Sequence, residues 1–237
     1  MKIGLIQTRG IGDLIISLPI AEYFLKGGHE VIWPVDSRFL DFMRSASPRI
    51  NFLPVDHKVV GDNSLDFFLG YPHRILNEHG CGAVFNLYSH LTGVKPASER
   101  LSASLKFDEY KYAVCGVPFT EKWNLKLERD MVRERALFNR LKVTSPYICF
   151  HLIGSNFKFD AGSLEEIAKG FQIIQIDSLS DNPFDWIHTL ENASRLVMID
   201  SCFANLVEGL NIQVDKTLIL RSETRFTPVY RNGWRFF

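Results

Sequence analysis

Short apolar runs alternate with helical segments along most of this chain, and that alternation restricts the fold more than any other feature. In the first half the runs Ile3–Ile6, His29–Trp33 and Ala83–Leu87 predict buried strands. Between the first two lies Gly12–Lys26, whose apolar spacing predicts a helix that a pair of glycines ends. Strands separated by helices imply right-handed βαβ crossovers and a mainly parallel sheet.

The middle of the chain predicts the join between two such regions. Residues 121–141 are rich in Glu, Lys, Arg and Leu, which indicates one exposed amphipathic helix. The turn at residues 144–146 then marks the expected boundary. We therefore predict two α/β domains, residues 1–143 and residues 144–237. After the turn, the alternation predicts Tyr147–Leu152 (strand), Ser163–Lys169 (helix), Phe171–Ile176 (strand), Pro183–Ala193 (helix), Leu196–Ile199 (strand), Phe203–Leu210 (helix) and Thr217–Leu220 (strand).

The composition narrows the class of protein. Lys and Arg together number 27, and so do Asp and Glu, so the formal net charge is zero. A general nucleic-acid binder usually shows a basic excess, so no nucleic-acid partner is expected. The four cysteines lie far apart, which favours reduced thiols in a cytoplasmic protein. No apolar run approaches the roughly 20 residues that span a bilayer.

Three strand-to-helix turns carry the residues that suggest chemistry. The first, residues 8–13, contains Arg9, Gly10, Gly12 and Asp13. Its two glycines expose backbone N–H groups, but Ile15 occupies the place of the third glycine of a dinucleotide-binding loop. Asp13 is either a helix N-cap or a carboxylate at the mouth of a site, and the pattern leaves both readings open.

The other two turns lie in the second half. Residues 151–158 follow a strand, and there Gly154 and Ser155 expose backbone donors while Lys158 supplies a point charge for a phosphate. Residues 200–206 would place the free N–H groups of a helix N-terminus against an anion. The sequence contains no metal-ligand spacing and no nucleophile elbow, so no cofactor is expected.

These three segments resemble the motifs of the heptosyltransferase-like glycosyltransferases of family 9. The first motif of that family is an arginine, then Gly-Asp, an apolar run and a proline, matched here by Arg9–Pro19. Its second motif, His-Pro-Gly-Ser followed by Lys and an aromatic residue, is matched by His151–Phe159 with an insertion and no proline. Its third, Asp-Thr-Gly-Pro-x-His-Leu, corresponds to Asp200–Leu206, where Cys202 and Asn205 depart from it.

The resemblance implies a GT-B fold, with two Rossmann-like domains facing each other across a cleft. It implies metal-independent, inverting transfer of a sugar from a nucleotide-sugar donor to a glycan or glycolipid acceptor, with Asp13 as general base. Lys158 would stabilise the leaving phosphate and Glu208 would bind the ribose. The implied donor site comprises Gly154, Ser155, Lys158, Asp200, Ser201, Cys202, Asn205 and Glu208. The implied acceptor side comprises Arg9, Gly10 and Gly12.

Further consequences and one alternative follow from the same resemblance. The resemblance implies a role in surface glycan biosynthesis, such as that of lipopolysaccharide. This role is compatible with contact at the inner face of the membrane and with assembly into an oligomer. The arginine-rich and aromatic C-terminal segment is expected to pack onto the first half of the chain, with contact to a membrane surface or a partner as the alternative. A non-catalytic protein that binds a nucleotide or sugar nucleotide remains the alternative. A sugar-nucleotide epimerase is disfavoured because no tyrosine is followed four positions later by lysine.

Overall fold

The structure of the protein, a computed structural model, describes residues 1–62, 64–144, 146–154, 157–164, 168–221 and 226–237, apart from the side chains of Ala161 and Ser163. Within these ranges the chain divides into two compact units, Met1–Glu128 and Arg129–Phe237. Each unit has its own parallel sheet. The α/β class and the two parallel sheets expected from the sequence are confirmed.

Unit 1 is built on a four-stranded sheet in the order β3-β2-β1-β4. All three strand pairings are parallel, so helices connect the strands. The strands β1 and β2 are buried almost throughout, which explains why they appear in the sequence as continuous apolar runs. The strands are β1 (Lys2–Ile6), β2 (Glu30–Asp36), β3 (Asn51–Val55) and β4 (Ala83–Asn86).

The helices of unit 1 cover this sheet, and α1 is the most deeply buried of them. Its apolar residues from Leu14 to Ala21 are all inaccessible to solvent or nearly so. The helices are α1 (Ile11–Lys26), α2 (Leu40–Ala46), α3 (His57–Val60), α4 (Tyr71–Glu78), α5 (Glu99–Ser104) and α6 (Phe107–Cys115). Two 3₁₀ helices (Ser37–Phe39 and Phe119–Trp123) and a π-helix (Asp66–Gly70) complete the described elements.

Unit 2 contains a five-stranded parallel sheet in the order β6-β5-β7-β8-β9. Its strands are β5 (Tyr147–His151), β6 (Gln172–Gln175), β7 (Arg195–Ile199), β8 (Asp215–Ile219) and β9 (Trp234–Phe236). Its helices are α7 (Met131–Arg140), α8 (Ile187–Glu191) and α9 (Cys202–Gly209), with 3₁₀ helices at Ala161–Leu164 and Pro183–Trp186. The predicted helix Ser163–Lys169 lies partly outside the described residues.

The single helix predicted over residues 121–141 is wrong, since the 3₁₀ helix Phe119–Trp123 ends near the start of this range and α7 begins only at Met131. The side chain of Asp130 accepts hydrogen bonds from the backbone N–H groups of Val132 and Arg133, which starts α7 at Met131. Before it, the N–H of Glu128 donates to the carbonyl of Ala46 in unit 1. The division between the units therefore falls at Glu128, upstream of the boundary expected at 143/144.

The C-terminal segment contributes a strand that the sequence did not predict. Within unit 2, Trp234–Phe236 forms β9 and pairs in parallel with β8. The short run of three residues between turn-like segments gave no clear strand pattern in the sequence. As a result, the sheet of unit 2 has one strand more than the sequence predicted. None of the helices in the described part of the chain has the length and apolarity to cross a membrane.

Candidate functional site

The turn between β1 and α1 depends on glycine at position 10. Gly10 is the N-cap residue of α1 and has a φ of +91°, a conformation that L side chains rarely adopt. A Cβ at this position would lie 2.7 Å from Oδ2 of Asp13. The turn therefore combines an unusual backbone with a close approach of the Asp13 carboxylate. Gly12 follows as the second residue of α1, in the turn whose N–H groups have no helical acceptor.

Asp13 is not the N-cap, which settles one of the two readings left open by the sequence. It is the third residue of α1, and the N-cap position has no side-chain capping bond. Its side chain is 36% exposed, although the helix around it is buried. Its backbone carbonyl accepts a hydrogen bond from Oγ of Ser17, which stabilises the first turns. The carboxylate is thus fixed at the carboxyl end of β1 while remaining accessible.

Lys111 on α6 forms an ion pair with this carboxylate. Its side chain is only 2% exposed, and Nζ lies 3.0 Å from Oδ1 of Asp13. Nζ also donates to Oε1 of Gln7 at 2.6 Å and to the carbonyl of Leu87 at 3.2 Å. The sequence does not reveal Lys111, because two of its partners, Gln7 and Asp13, lie about a hundred positions earlier in the chain. The one available signal is that buried Tyr110 and Tyr112 flank it.

Arg9, beside this turn, forms two ion pairs and a cation–π contact. Its Nε donates to Asp36 at 2.8 Å, its Nη2 pairs with Asp62, and its guanidinium carbon lies 4.4 Å from the centre of the Phe67 ring. Burial on its own raises the pKa of Asp36, but the hydrogen bonds from Arg38 and Arg9 outweigh it and lower that pKa. Arg9 therefore shapes the turn through two carboxylates and an aromatic face.

Tyr88 closes the back of the same turn. Its hydroxyl oxygen accepts hydrogen bonds from the backbone N–H groups of Thr8 at 2.9 Å and Arg9 at 3.3 Å. Burial raises the pKa of Tyr88 to about 12. The neutral phenol thus satisfies two N–H groups of the strand-to-helix turn without adding a charge next to Asp13.

In unit 2, charged and polar side chains gather where β5, β7 and β8 end. His151 is the last residue of β5, Asp200 follows β7, and Arg221 lies just beyond β8. Because these strands are adjacent and parallel, their carboxyl ends meet at one edge of the sheet. Nη2 of Arg221 lies 3.9 Å from Oδ2 of Asp200. This edge is the candidate anion-binding site of unit 2.

Arg221 is a functional candidate that the sequence motifs did not single out. Its Nε is buried and has no hydrogen-bond partner in the part of the chain that the structure describes. A Cβ on Gly154 would lie 2.9 Å from Nη1 of Arg221 and 3.1 Å from Cδ1 of Ile199. Gly154 thus lets the loop after β5 approach the guanidinium closely. The sequence signal that could have identified Arg221 is its position directly after the last predicted strand, Thr217–Leu220.

His151 joins two of these strand ends as a neutral side chain. Its Nδ1 lies within hydrogen-bond distance of Oγ of Ser201, the N-cap residue of α9, and its ring packs against Phe203. Burial, and next the positive charge of Arg221, lower the pKa of His151 to about 4. The imidazole is therefore uncharged at neutral pH and adds no cation to the site.

The loop after β5 contains three of the predicted site residues, Gly154, Ser155 and Lys158. The N–H of Gly154 donates to the carbonyl of Phe157 at 2.7 Å, and Ile153 forms an antiparallel bridge with Lys158. The Lys158 side chain is exposed. Ser155 lies outside the described residues.

The start of α9 contains a buried polar network. The Tyr230 hydroxyl donates to Oδ1 of Asp200 at 3.0 Å and lies 3.3 Å from Oδ1 of Asn205. Nδ2 of Asn205 donates to the carbonyl of Ser201 at 3.0 Å, so this amide stabilises the first turn of the helix. Burial raises the pKa of the Cys202 thiol to about 11. Cys202 is accordingly a neutral thiol at the helix N-terminus.

The carboxylate of Glu208, further along α9, is hydrogen-bonded to the segment around the start of β9. Glu208 is inaccessible to solvent, and its two carboxylate oxygens accept from the Arg231 backbone N–H at 2.8 Å and Trp234 Nε1 at 2.7 Å. Its carbonyl accepts from Nδ2 of Asn232. Glu208 thus anchors the segment that leads into β9, and we do not assign it to the ribose as the resemblance implied.

Metal ligands do not cluster in the described ranges, where no group of three or more His, Cys, Asp or Glu side chains is arranged to hold a metal ion. The charged candidate residues are the Asp13 carboxylate in unit 1 and Arg221 and Lys158 in unit 2.

Comparison with solved structures identifies the fold. A family 9 glycosyltransferase from Veillonella parvula superposes with a TM-score of 0.69 at 15% identity, over 100% of this chain and 86% of that one. ADP-heptose lipopolysaccharide heptosyltransferase II from Escherichia coli gives 0.59 at 11% identity, over 100% and 90%. The iron-containing dodecameric glycosyltransferase TibC from enterotoxigenic E. coli gives 0.61 at 13% identity, over 100% and 64%. No protein-family model and no curated protein sequence matches the chain.

These structures confirm the resemblance inferred from the three sequence motifs, at the level of the fold. Each superposes along the full length of this chain, so both units share the fold of heptosyltransferase-like glycosyltransferases. At identities of 11–15% the likeness fixes the fold, and the chemistry has to be argued from the residues themselves.

Proposed function

We propose that this chain is a glycosyltransferase that moves a sugar from a nucleotide-sugar donor to a glycan or glycolipid acceptor, with inversion and without a metal. One observation carries the proposal: Asp13 is an accessible carboxylate fixed at the carboxyl end of β1 by a buried ammonium. In a fold shared with sugar-transferring enzymes, such a carboxylate has the place and the chemistry of a general base.

The proposed reaction is a single displacement. Asp13 takes the proton of an acceptor hydroxyl as the oxygen attacks the anomeric carbon of the donor. The bond from that carbon to the diphosphate oxygen breaks, and its electron pair leaves with the nucleoside diphosphate. Since attack comes from the face opposite the leaving group, the anomeric configuration inverts. General bases of this kind contribute about 10²–10⁴-fold to the rate.

We propose that unit 2 binds the donor. Negative charge develops on the diphosphate as its bond breaks, and Arg221, Lys158 and the N–H groups at residues 201–205 would stabilise it. Gly154 and Ser155 would allow the loop to approach the phosphates, while Asp200 and Asn205 maintain the helix start. The similarity of the fold to an ADP-heptose heptosyltransferase makes ADP-heptose the first donor to test.

We propose that unit 1 is the acceptor side and that the two units face each other across a cleft, as in the GT-B architecture. Gly10 and Gly12 keep the backbone near Asp13 free of side chains, so that an acceptor sugar can approach. Arg9 acts through the wall that it forms with Asp36, Asp62 and Phe67. A glycolipid acceptor would bring the protein to the inner face of the membrane.

The proposal is tested by measuring transfer with ADP-heptose and with UDP-, GDP- and CMP-sugars, with binding followed by thermal shift. Asp13→Asn is expected to lower the transfer rate by about 10²–10⁴-fold while the nucleotide still binds. The matched control is Asp41→Asn, an exposed carboxylate in the first turn of α2. Wild-type transfer by Asp13→Asn would rule out the assigned base.

A second candidate is a non-catalytic protein that binds a nucleotide or sugar nucleotide. The observation that favours it is that Glu208, which the resemblance implied at the ribose, is buried and accepts hydrogen bonds from the Arg231 N–H and the Trp234 indole N–H. Thermal stabilisation by a nucleotide, with neither transfer nor hydrolysis of any of the donors, would support this candidate over the enzyme.

A further inference from the structure

We propose that Lys111 is the positioning residue for Asp13, holding Oδ1 so that Oδ2 is presented to the acceptor hydroxyl. This inference rests on the proposed role of Asp13 as general base. It assigns a function to a lysine on α6 that has no counterpart among the three sequence motifs.

The first support is the hydrogen bonding of the ammonium. An ammonium group has three donors, and Nζ of Lys111 has three acceptors: Asp13 Oδ1, Gln7 Oε1 and the Leu87 carbonyl. With all three donors used, the direction of each contact is fixed. Oδ1 of Asp13 is thereby committed to Lys111, and Oδ2 is the oxygen left on the accessible side chain.

The second support is the rigidity of the surroundings. Gln7 is buried, and its Nε2 donates to the carbonyl of Arg9 at 2.7 Å, so the amide that holds Lys111 is itself fixed. Leu87 directly follows β4, and Gln7 directly follows β1. The ammonium therefore ties Asp13 to the carboxyl ends of two neighbouring strands of the sheet. A catalytic group held in this way keeps its geometry without a loop having to order first.

The third support is the free-energy cost of burying the ammonium group of Lys111. An isolated ammonium in a protein interior is strongly disfavoured, so a lysine that is 2% exposed needs a carboxylate or several good acceptors. A neutral apolar residue would fill the same space without that cost. The retained charge is explained if its pairing with Asp13 serves the reaction.

Lys122 provides the matched control. It is 3% exposed, and its Nζ lies 2.6 Å from Oδ2 of Asp108, which is inaccessible to solvent. Both lysines are thus buried, ion-paired and in unit 1, but the acid that Lys122 contacts is Asp108 rather than Asp13. A purely structural role for Lys111 predicts that the two lysines respond to substitution in the same way.

The experiment measures kcat and donor KM for Lys111→Met, Lys122→Met, Asp13→Asn and the double variant Lys111→Met/Asp13→Asn. Methionine keeps the length of the side chain and removes the charge. Lys111→Met is expected to lower kcat about 10–100-fold, the cost of a misplaced catalytic group. Its donor KM should stay within about twofold of wild type, because the donor is assigned to unit 2.

The double variant isolates positioning from stability. If Lys111 acts through Asp13, its loss has no further effect on kcat once Asp13 is already asparagine. Lys111→Arg, which keeps a charge and donors, should recover part of the lost kcat. If circular dichroism shows that Lys111→Met is unfolded, Lys111→Gln replaces it in both backgrounds with the same expectations.

Separate outcomes overturn the inference and the proposed function. Near wild-type kcat in Lys111→Met, or losses that multiply in the double variant, would overturn the inference while Asp13 remained the base. Equal losses in Lys111→Met and Lys122→Met would do the same. Wild-type transfer by Asp13→Asn would instead remove the proposed function on which the inference rests.

Discussion

Nδ1 of His151 lies 2.9 Å from Oγ of Ser201, so the end of β5 is joined directly to the residue that precedes α9. The imidazole is neutral because burial and the nearby Arg221 lower its pKa to about 4. This contact adds to the backbone pairing of β5 with β7 at the candidate anion-binding site, where burial disfavours protonation of the ring.

Stability should therefore fall in mildly acidic solution. The pKa of His151 is about 4 in the folded protein and about 6.5 when the chain is unfolded, so the unfolded chain binds the proton more tightly. The free energy of unfolding then decreases as the pH drops from 6.5 to 4, and the loss levels off below that. The full effect is about 3 kcal/mol.

Urea denaturation at several pH values measures this effect as the difference between the wild type and His151→Gln. The wild type should lose more stability between pH 6.5 and pH 4 than this variant. His73→Gln, at an exposed histidine, should behave as the wild type. Parallel stability curves for the wild type and His151→Gln would contradict the prediction.

Replacing Arg221 with glutamine should raise the pKa of His151, since it removes the positive charge that disfavours the imidazolium. The pKa should remain below 6.5 because burial, the larger cause, is unchanged. An NMR titration of the imidazole resonances measures it. Arg195→Gln is the control, since Arg195 begins β7 at the opposite end of the strand and pairs with Asp215.

The same Arg221→Gln variant should weaken the binding of nucleoside diphosphates. A charge-assisted hydrogen bond is worth about 1.5–3 kcal/mol, which corresponds to a loss in affinity of at least about tenfold. Isothermal titration with ADP and the corresponding nucleoside compares a ligand with phosphates to one without. Equal affinity for ADP in the wild type and the variant would exclude Arg221 from the anion site.

Substitution of Gly10 by alanine should reduce both stability and transfer. The positive φ costs about 1–3 kcal/mol with an L side chain, and the new Cβ would displace the Asp13 carboxylate. Gly28→Ala is the matched control, because Gly28 also has a positive φ of +77° but open space around its Cα. Both variants should unfold at lower urea concentrations, whereas transfer should fall only in Gly10→Ala.

Glu208→Ala should destabilise unit 2 without a direct effect on the nucleotide. It leaves the Arg231 N–H and the Trp234 indole N–H without their acceptors, at a cost of about 1–3 kcal/mol. Hydrogen exchange should then speed up at residues 231–237. A specific loss of nucleotide affinity with unchanged stability would instead return Glu208 to the donor site.

The alternation of apolar runs and helices was sufficient to predict two parallel sheets, because strands buried on both faces leave an unmistakable apolar pattern. The helix predicted over the charged stretch 121–141 is wrong because a charged pattern alone does not fix where a helix starts. Its polar residues fit an exposed helix, but Lys122 is buried against Asp108, and α7, capped by Asp130, starts ten residues later than predicted. Tertiary contacts, rather than local pattern, decided which part is helical.

The sequence singled out candidate residues only where they lie at or shortly after the end of a strand. Asp13, His151 and Asp200 were selected for that reason. Lys111 was not, because a lysine on a short helix is usually exposed, and its acceptors are the residues directly after β1 and β4 and a residue of α1. Glu208 shows the converse, since its motif position suggested a ligand contact and its hydrogen bonds lie in the chain itself.

Both sheets are assembled from uninterrupted stretches of the chain, the first from residues before Arg129 and the second from residues after Glu128. During synthesis, every strand of the first sheet therefore emerges from the ribosome before any strand of the second. Since domains generally fold as units from the N-terminus onward, the Asp13 turn and its Lys111 support can form while unit 2 is still being made. β9, at one edge of the second sheet, is the last strand of that sheet to be translated, so the sheet is completed only after its other four strands have been made.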